Sequence, residues 1–502
     1  MSPLILSFPE ISTFLLLIPP LTIIFLVYNY SLKSPPLPPG PFRWPIVGNL
    51  FQIGPNPHMT LARFAKMYGP DLFSFKLGTK LVIVGSTPAA AMAILKTHDR
   101  SLCARFVPQV APSKCQKKYD STIGWVDECN ESWKNLRTFT RTELFSGKAI
   151  NSQALIRDKK VNETVNHVAK HMQGKEVKVR EIAFGAVLNM MGNILVSKDM
   201  IEQSNESLKG ELCEIMNKIT DVASSPNISD FYPILSPFDL QNLRKRSMEL
   251  FDRSCQLWEA IVKERKASET SSPSPPDFLD SLIQNGHSTV DINNIFMELF
   301  GAGTETSSSM VEWTMAELIK NPRCMKIVQE ELAREIDQDK AVKDSDLPKL
   351  TYLQACVKET LRLHPVGPLL LPHRAIETCT VMNYTIPKGS QILVNVWAIG
   401  RDPSLWEDAC VFKPERFVNS CLDFKGNDFE YFPFGSGRRM CPGMPMAAKH
   451  IPLIVAAFIH SFDWSLPQGK TLNDIDMSEK YGIAMRMEKT LLLVPKAKIN
   501  II

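Results

Sequence analysis

The stretch Phe434-Gly435-Ser436-Gly437-Arg438-Arg439-Met440-Cys441-Pro442-Gly443 decides how the rest of this chain is read. Its glycines let a backbone turn tightly and approach a bulky flat ligand closely. Arg438 and Arg439 stand just upstream of one thiol, and cationic neighbours lower a thiol's pKa and pair with carboxylates. A lone thiolate so framed is suited to hold a haem iron, where it pushes electron density toward O–O cleavage. The competing reading is an inert cysteine buried beside a Gly-rich turn, the commoner fate of a cysteine taken at random.

Working outward, three further patterns bear on that choice. Ala302-Gly303-Thr304-Glu305-Thr306 lies inside the longest helical stretch, Glu298 to Leu318. Gly301 and Gly303 each cost that helix about 1 kcal/mol against alanine, so something must offset them. Small residues let a flat cofactor lie against the helix. A threonine hydroxyl bonding back to a carbonyl opens it locally, and an adjacent acid–alcohol pair can relay protons. The plain alternative is a helix with an exposed glutamate. Glu359-Thr360-Leu361-Arg362 is by itself an ordinary i,i+3 surface pair, and Pro414-Glu415-Arg416-Phe417 follows about fifty residues on. Trp133 and Arg137 share one helical face, although a core tryptophan is the commoner reason for such a residue.

Phe434, Gly437, Arg439, Cys441 and Gly443 together form Phe-x-x-Gly-x-Arg-x-Cys-x-Gly, which resembles the haem-binding signature of the cytochrome P450 family. The Glu305–Thr306 segment is similar to that family's oxygen-activation motif, and Glu359–Arg362 with Arg416 to its bracing helix and the arginine segment that locks onto it. The resemblance implies one large, mainly α domain with small β regions. It implies haem b with Cys441 as axial thiolate, and Trp133, Arg137, Arg374 and Arg439 as partners of the propionates. Phe434 would pack beside the loop, and the glycines would turn amides toward sulfur. Thr306 would be the alcohol of oxygen activation and Glu305 a proton donor. Glu359, Arg362 and Arg416 would hold the ligand loop. Branches that rearrange hydroperoxides typically lack the alcohol, so a monooxygenase fed with electrons is expected. The electrons would come from NADPH through a separate flavin-containing reductase, docked near Lys134, Arg438 and Lys449. A non-catalytic haem sensor and a scaffold using Cys441 structurally are the readings from other classes.

By the same resemblance, a pocket for a small hydrophobic substrate draws on Phe106, Phe296, Ala302, Val366, Leu370 and Ile483. Glu298 is either a partner for a basic nitrogen or an outward-facing acid. The Pro-Pro-Gly-Pro run, Phe417 and Asp230-Phe231-Tyr232-Pro233 are similar to the plant microsomal branch, and Ala104-Arg105-Phe106-Val107-Pro108 to its alkaloid-oxidising members. Phenolic or terpenoid hydroxylation is the alternative.

The N-terminus suggests where the chain resides. Ile11 to Tyr28 is mostly apolar, approaching the ~20 residues that cross a bilayer. Lys33 and Arg43 follow it and no Lys or Arg precedes it, so the body is expected in the cytosol. A basic n-region and a clean cleavage site are missing, which favours an uncleaved anchor over a signal peptide. Ser34 to Pro41 then makes a stiff extended spacer. The expected division is an anchor over 1–30, a proline-rich hinge over 31–48 and a catalytic domain over 49–502. This makes a single-pass protein of the endoplasmic reticulum membrane, in contact with lipid and monomeric. The soft prior of ~150 residues per domain would have given about three domains in 502 residues; the resemblance overrides it. A net charge of +4, with no basic run interleaved with aromatics, argues against nucleic acid. The eleven cysteines are scattered without a CxxC pair and read as reduced thiols. No His pair has metal-ligand spacing.

Overall fold

A computed structural model describes residues 36–115, 121–201, 211–267 and 276–498. The expected anchor over 1–30 lies outside them. The helices that position the site are α1 Pro57–Tyr68, α2 Glu131–Thr140, α3 Val179–Val196, α4 Glu211–Ser224, α5 Leu243–Ala267, α6 Thr289–Lys320, α7 Thr351–Leu363 and α8 Met444–Ser461. The chain is mainly α with small sheets, as expected.

The axis of the fold is α6, about 48 Å long at 1.5 Å per residue. It begins at Thr289, not Glu298, because Ser288 caps it. The Ser288 hydroxyl accepts from the Asp291 N–H (3.1 Å) and the Asp291 carboxylate accepts from the Ser288 N–H (3.1 Å). Pro322, just past Asn321, prevents its continuation. On its core side Phe296 and Phe300 pack on Trp258 of α5, with ring centroids 4.9 and 5.0 Å away. Helix α3 packs along α6. It is the one helix among the described residues long and apolar enough to cross a membrane, yet 78% of it is buried. It is a core helix, which explains why it is apolar all round.

Five strands make the principal sheet: β1 Leu72–Leu77, β2 Lys80–Gly85, β3 Ala104–Arg105, β4 His373–Arg374 and β5 Gln391–Val394, ordered β1-β2-β5-β4-β3. β1 and β2 form a hairpin, with Leu77 opposite Lys80. Gly78 at φ +58° makes its turn with Thr79. β2 runs parallel to β5, and the other pairings are antiparallel. Pairing of β3 with β4 sets Ala104 opposite Arg374 and Arg105 opposite His373. His373 is therefore buried, its Nδ1 2.9 Å from the Leu102 carbonyl oxygen. The region after Pro365 holds short strands, including the pair Cys379–Val381 and Tyr384–Ile386.

The described part of the proline-rich segment is docked. Pro38 and Pro39 carbonyls accept from the hydroxyl and N–H of Ser74. Gly40 passes so close to β1 that a Cβ there would lie 1.8 Å from the Ser74 carbonyl oxygen. The spacer is thus fixed against the body by main-chain bonds as well as by proline stiffness.

Candidate haem site

Cys441 sits at the mouth of α8. The preceding loop turns at Gly435 (φ +74°) and Gly437 (φ +71°). A Cβ on Gly437 would meet the Leu95 carbonyl oxygen at 2.1 Å. The Cys441 N–H donates to the Phe434 carbonyl (2.9 Å), closing the loop on itself. Phe434 packs edge-on against Phe424, 5.5 Å between centroids. Cys441 is solvent-accessible but surrounded by protein on its other sides; that enclosure pushes its thiol up, while N–H bonds from Gly443 and Met444 and the charge of Arg137 favour the thiolate. The first amides of α8 thus point at sulfur, where a helix N-terminus stabilises negative charge.

Segment 123–127 is pinned from two sides. From above, the Glu298 carboxylate of α6 accepts N–H bonds from Ile123 (2.5 Å), Gly124 (3.1 Å) and Trp125 (3.2 Å). From the ligand loop, Arg439 donates to the carbonyls of Ile123 (3.4 Å), Val126 (2.9 Å) and Asp127 (3.3 Å), and also to that of Cys103 (2.9 Å). Trp133 of α2 donates its indole N–H to the Ile123 carbonyl (2.8 Å), and Arg439 lies over its ring at 4.7 Å. Arg137 donates to the Met440 carbonyl. Arg374 pairs with Asp127 (2.5 Å), and buried Arg105 donates to the Leu371 carbonyl (2.7 Å). Glu298 is neither outward-facing nor free; it anchors this segment, and burial raises its pKa. Nothing local in the sequence announces that role, since its partners lie more than 170 residues away.

The arginines carry excess positive charge in a poorly solvated place. Burial, and then repulsion from Arg439, pull Arg105 down to about 9; burial also lowers Arg137 and Arg439. Beside them α6 turns one accessible stripe of an otherwise buried helix: Glu298, Gly301, Ala302 and Thr306. A Cβ on Gly301 would meet nothing within 4 Å. The Thr306 hydroxyl bonds back to the Ala302 carbonyl at 2.6 Å, the opening bond anticipated for that residue. Glu305 points elsewhere. It is buried and paired with Arg180 of α3 (2.9 Å), with Arg486 at 3.7 Å.

The brace is assembled. Arg362 grips Glu359 with two bonds of 2.7 Å, Arg416 reaches the same carboxylate at 3.3 Å, and the Lys413 N–H adds 2.9 Å. Arg362 also donates to the carbonyls of Gly400, Ala409 (2.7 Å) and Val411 (3.3 Å).

The pocket candidates divide. Leu370, at φ +53°, approaches Gly435 of the ligand loop, and the Val366 carbonyl accepts from the Met485 N–H (2.8 Å). Phe106 is half-buried beneath the Lys80 ammonium (3.2 Å to the ring centre). Ile483 is exposed at the turn after Glu479–Lys480, its N–H on the Ser224 hydroxyl. Phe296 does not belong with them. It is fully buried against Trp258, Phe278 and Phe300. Two positions from Glu298, at about 100° per residue, puts it on the far side of α6. Of the docking cations, Arg438 is exposed and paired with Asp99 (3.0 Å), Lys134 with Glu131, and Lys449 with Asp344 (3.0 Å).

The sequence profile described as Cytochrome P450 matches residues 38–494, most of the chain. The chain belongs to the cytochrome P450 family. Among curated proteins it is 47% identical to (S)-N-methylcoclaurine 3'-hydroxylase isozyme 1 of Eschscholzia californica, over 92% of this chain and 94% of that one. It is 44% identical to corytuberine synthase of Coptis japonica, over 96% and 98%. It is 39% identical to berbamunine synthase of Berberis stolonifera, over 93% and 95%. As a cytochrome P450 it is a haem-thiolate monooxygenase that uses haem b, a reductase fed by NADPH and a hydrophobic substrate. The residues present fit that group: a thiol facing helix amides, an unbalanced cluster of guanidinium groups suited to two propionates, and a small-residue stripe suited to a flat ring.

Proposed function

We propose that this P450 oxidises a hydrophobic plant alkaloid. The observation that carries the reading is 44–47% identity, over nearly the full length of both chains, to relatives named for alkaloid chemistry. A terpenoid substrate is the second reading, supported by 38% identity to geraniol 8-hydroxylase of Catharanthus roseus over 95% of this chain.

In this reading haem supplies dioxygen activation when bound at Cys441. The chain's own groups do the rest. Amides of Gly443 and Met444 and the charge of Arg137 would favour the thiolate that iron requires. Arg439, Arg137, Arg374 and Trp133 lie where the propionates need donors, exchanging some main-chain partners for carboxylates. Thr306 holds a hydroxyl on the open stripe of α6, ready to orient water. The Glu305 carboxylate stands one residue before it, held by Arg180, which must release it before it can reach that stripe. Ala302, Val366 and Leu370 bound the apolar space.

Membrane residence belongs to the same proposal. Phe42, Trp44, Ile46 (81% exposed) and Phe51 (89%) stand on one side of the Gly78 turn, and Ile234 (83%), Phe238 and Leu240 on the other. The Tyr232 hydroxyl donates to the Ile46 carbonyl (3.3 Å), and the Thr79 N–H to that of Phe231 (3.1 Å), joining the two sides into one apolar face. So large an exposed patch suits lipid. The patch supports contact of the body with a membrane, and the proposal joins to it a single pass through the endoplasmic reticulum membrane, a monomer and a cytosolic body.

The test is titration of the holoenzyme with N-methylated benzylisoquinolines and with geraniol, followed by turnover with reductase and NADPH. Tight spectral shifts and oxygenated or coupled alkaloid products support the proposal. Binding and turnover of geraniol alone overturn it.

A further inference from the structure

Cys103 and Cys129 are 26 positions apart in sequence and meet in the fold. Cys103 ends the short helix Asp99–Leu102 just before β3, and Cys129 immediately precedes Asn130, the residue whose side chain caps α2. The Cys129 sulfur lies 3.8 Å from the Cys103 carbonyl oxygen, the acceptor that Arg439 Nε also reaches at 2.9 Å, while the Cys103 thiol donates to the Arg100 carbonyl (3.7 Å). Cys103 is buried, while Cys129 is partly exposed and open to a small reagent. Arg439 and Arg105 both act on the Cys129 sulfur, and these charges favour its thiolate. The partner thiol points the other way. It donates to the Arg100 carbonyl, and burial and the nearby Asp99 carboxylate push it up. A partly exposed thiol beside a guanidinium, on a residue touching a second, buried cysteine, has the makings of an attacking thiolate with a resolving partner.

We propose that Cys103 and Cys129 form a peroxide-responsive dithiol that closes to a disulfide and ties the start of β3 to the cap of α2. The Cys129 thiolate attacks one oxygen of hydrogen peroxide, the O–O bond breaks, and hydroxide leaves and takes up a proton to become water. Sulfur is now a sulfenic acid. The Cys103 sulfur then attacks the Cys129 sulfur, the S–O bond breaks, and the departing hydroxide takes the Cys103 proton as a second water. Two thiols are oxidised by two electrons and one peroxide is reduced to two waters. The tie would sit in the segment that Arg439 and Glu298 hold from opposite sides, and α2 carries Trp133 and Arg137.

The pair is neither a metal site nor part of the ligand loop, so it can be tested without reference to turnover. The holoenzyme, full-length in detergent or nanodiscs, is treated at pH 7 with one equivalent of hydrogen peroxide. It is then alkylated and mapped by mass spectrometry without reduction. The expected result is loss of two hydrogens, a peptide joining Cys103 to Cys129, and reversal by dithiothreitol. Cys129 should react about tenfold faster than an ordinary exposed thiol. Cys103→Ser should stop at a sulfenic acid on Cys129 that dimedone traps, and Cys129→Ser should leave Cys103 free. Both variants should keep the reduced carbon monoxide spectrum, which shows that they fold. Oxidation confined to exposed Cys410 and Cys421, with both members of the pair still alkylated, would overturn the proposal. So would dimedone trapping on wild-type Cys129 with no disulfide.

Discussion

Glu359 carries no chemistry, yet its replacement by glutamine should empty the haem site. Its carboxylate is fully buried and takes four hydrogen bonds: two of 2.7 Å from Arg362, one of 3.3 Å from Arg416 and one of 2.9 Å from the Lys413 N–H. Glu359→Gln keeps one acceptor but turns an NH2 group toward a guanidinium, and two cations lose their counter-charge. Removing one partner of a buried pair costs about 3–5 kcal/mol. Any of the Gly400, Ala409 and Val411 carbonyls that lose Arg362 add roughly 1–3 kcal/mol each. Against a typical total stability of about 5–15 kcal/mol, this is a large fraction. The assay is denaturant unfolding together with haem content per mole of protein. Glu359→Gln should purify with little haem and unfold earlier by at least about 3 kcal/mol, and Arg362→Lys should behave similarly. A variant that keeps full haem and loses less than about 1 kcal/mol would refute the brace, because the geometry would then be that of a dispensable ion pair.

Three further outcomes follow from other parts of the molecule. Thr306→Ala should leave NADPH consumption largely intact while product per NADPH falls by about tenfold or more, the lost electrons appearing as peroxide; unchanged coupling would remove Thr306 from the relay. Glu312 is buried, and its carboxyl is pushed up to about 7 by that burial. A raised acid favours the protonated fold, so its contribution is complete below the unfolded value near 4.5 and is lost as pH rises through 7. Over that range wild-type stability should fall by about 3 kcal/mol relative to Glu312→Gln, and parallel profiles in pH-dependent urea unfolding would contradict this. Phe296→Ala should cost about 3–5 kcal/mol of stability as a core cavity while leaving substrate preference unchanged, whereas Val366→Ala should shift product ratios at little cost in stability. Spectral titration and thermal unfolding of the two variants would tell packing from pocket.

What could be read in the chain before its structure follows from the range of each interaction. The ligand loop, the β1–β2 hairpin and the Glu359–Arg362 turn are local, so their residue spacing carries them. Arg416 could be joined to that turn only through family likeness. Glu298 escaped because its partners, the amides of 123–125, belong to a loop with no periodic signal. Phe296 was misplaced for a related reason. An apolar residue two positions from Glu298 looks like a pocket wall until Trp258, on another helix, shows which side of α6 is core. The arginines show a third limit: family likeness indicated that Arg137, Arg374 and Arg439 seek an anion, but not that the Met440 carbonyl, Asp127 and the carbonyls of 123–127 already engage them. Glu305 was legible as an acid beside Thr306, but Arg180, 125 positions away, holds its carboxylate.

The whole account turns on the sulfur of Cys441, and the carbon monoxide difference spectrum of the reduced protein reports on that atom directly. Wild-type protein should show the red-shifted Soret band of thiolate-ligated haem, and Cys441→Ser should lose it while retaining the far-ultraviolet signature of a helical fold. A Cys441→Ser protein that keeps the red-shifted band would show that another group holds the iron, and the assignment of this loop would be wrong.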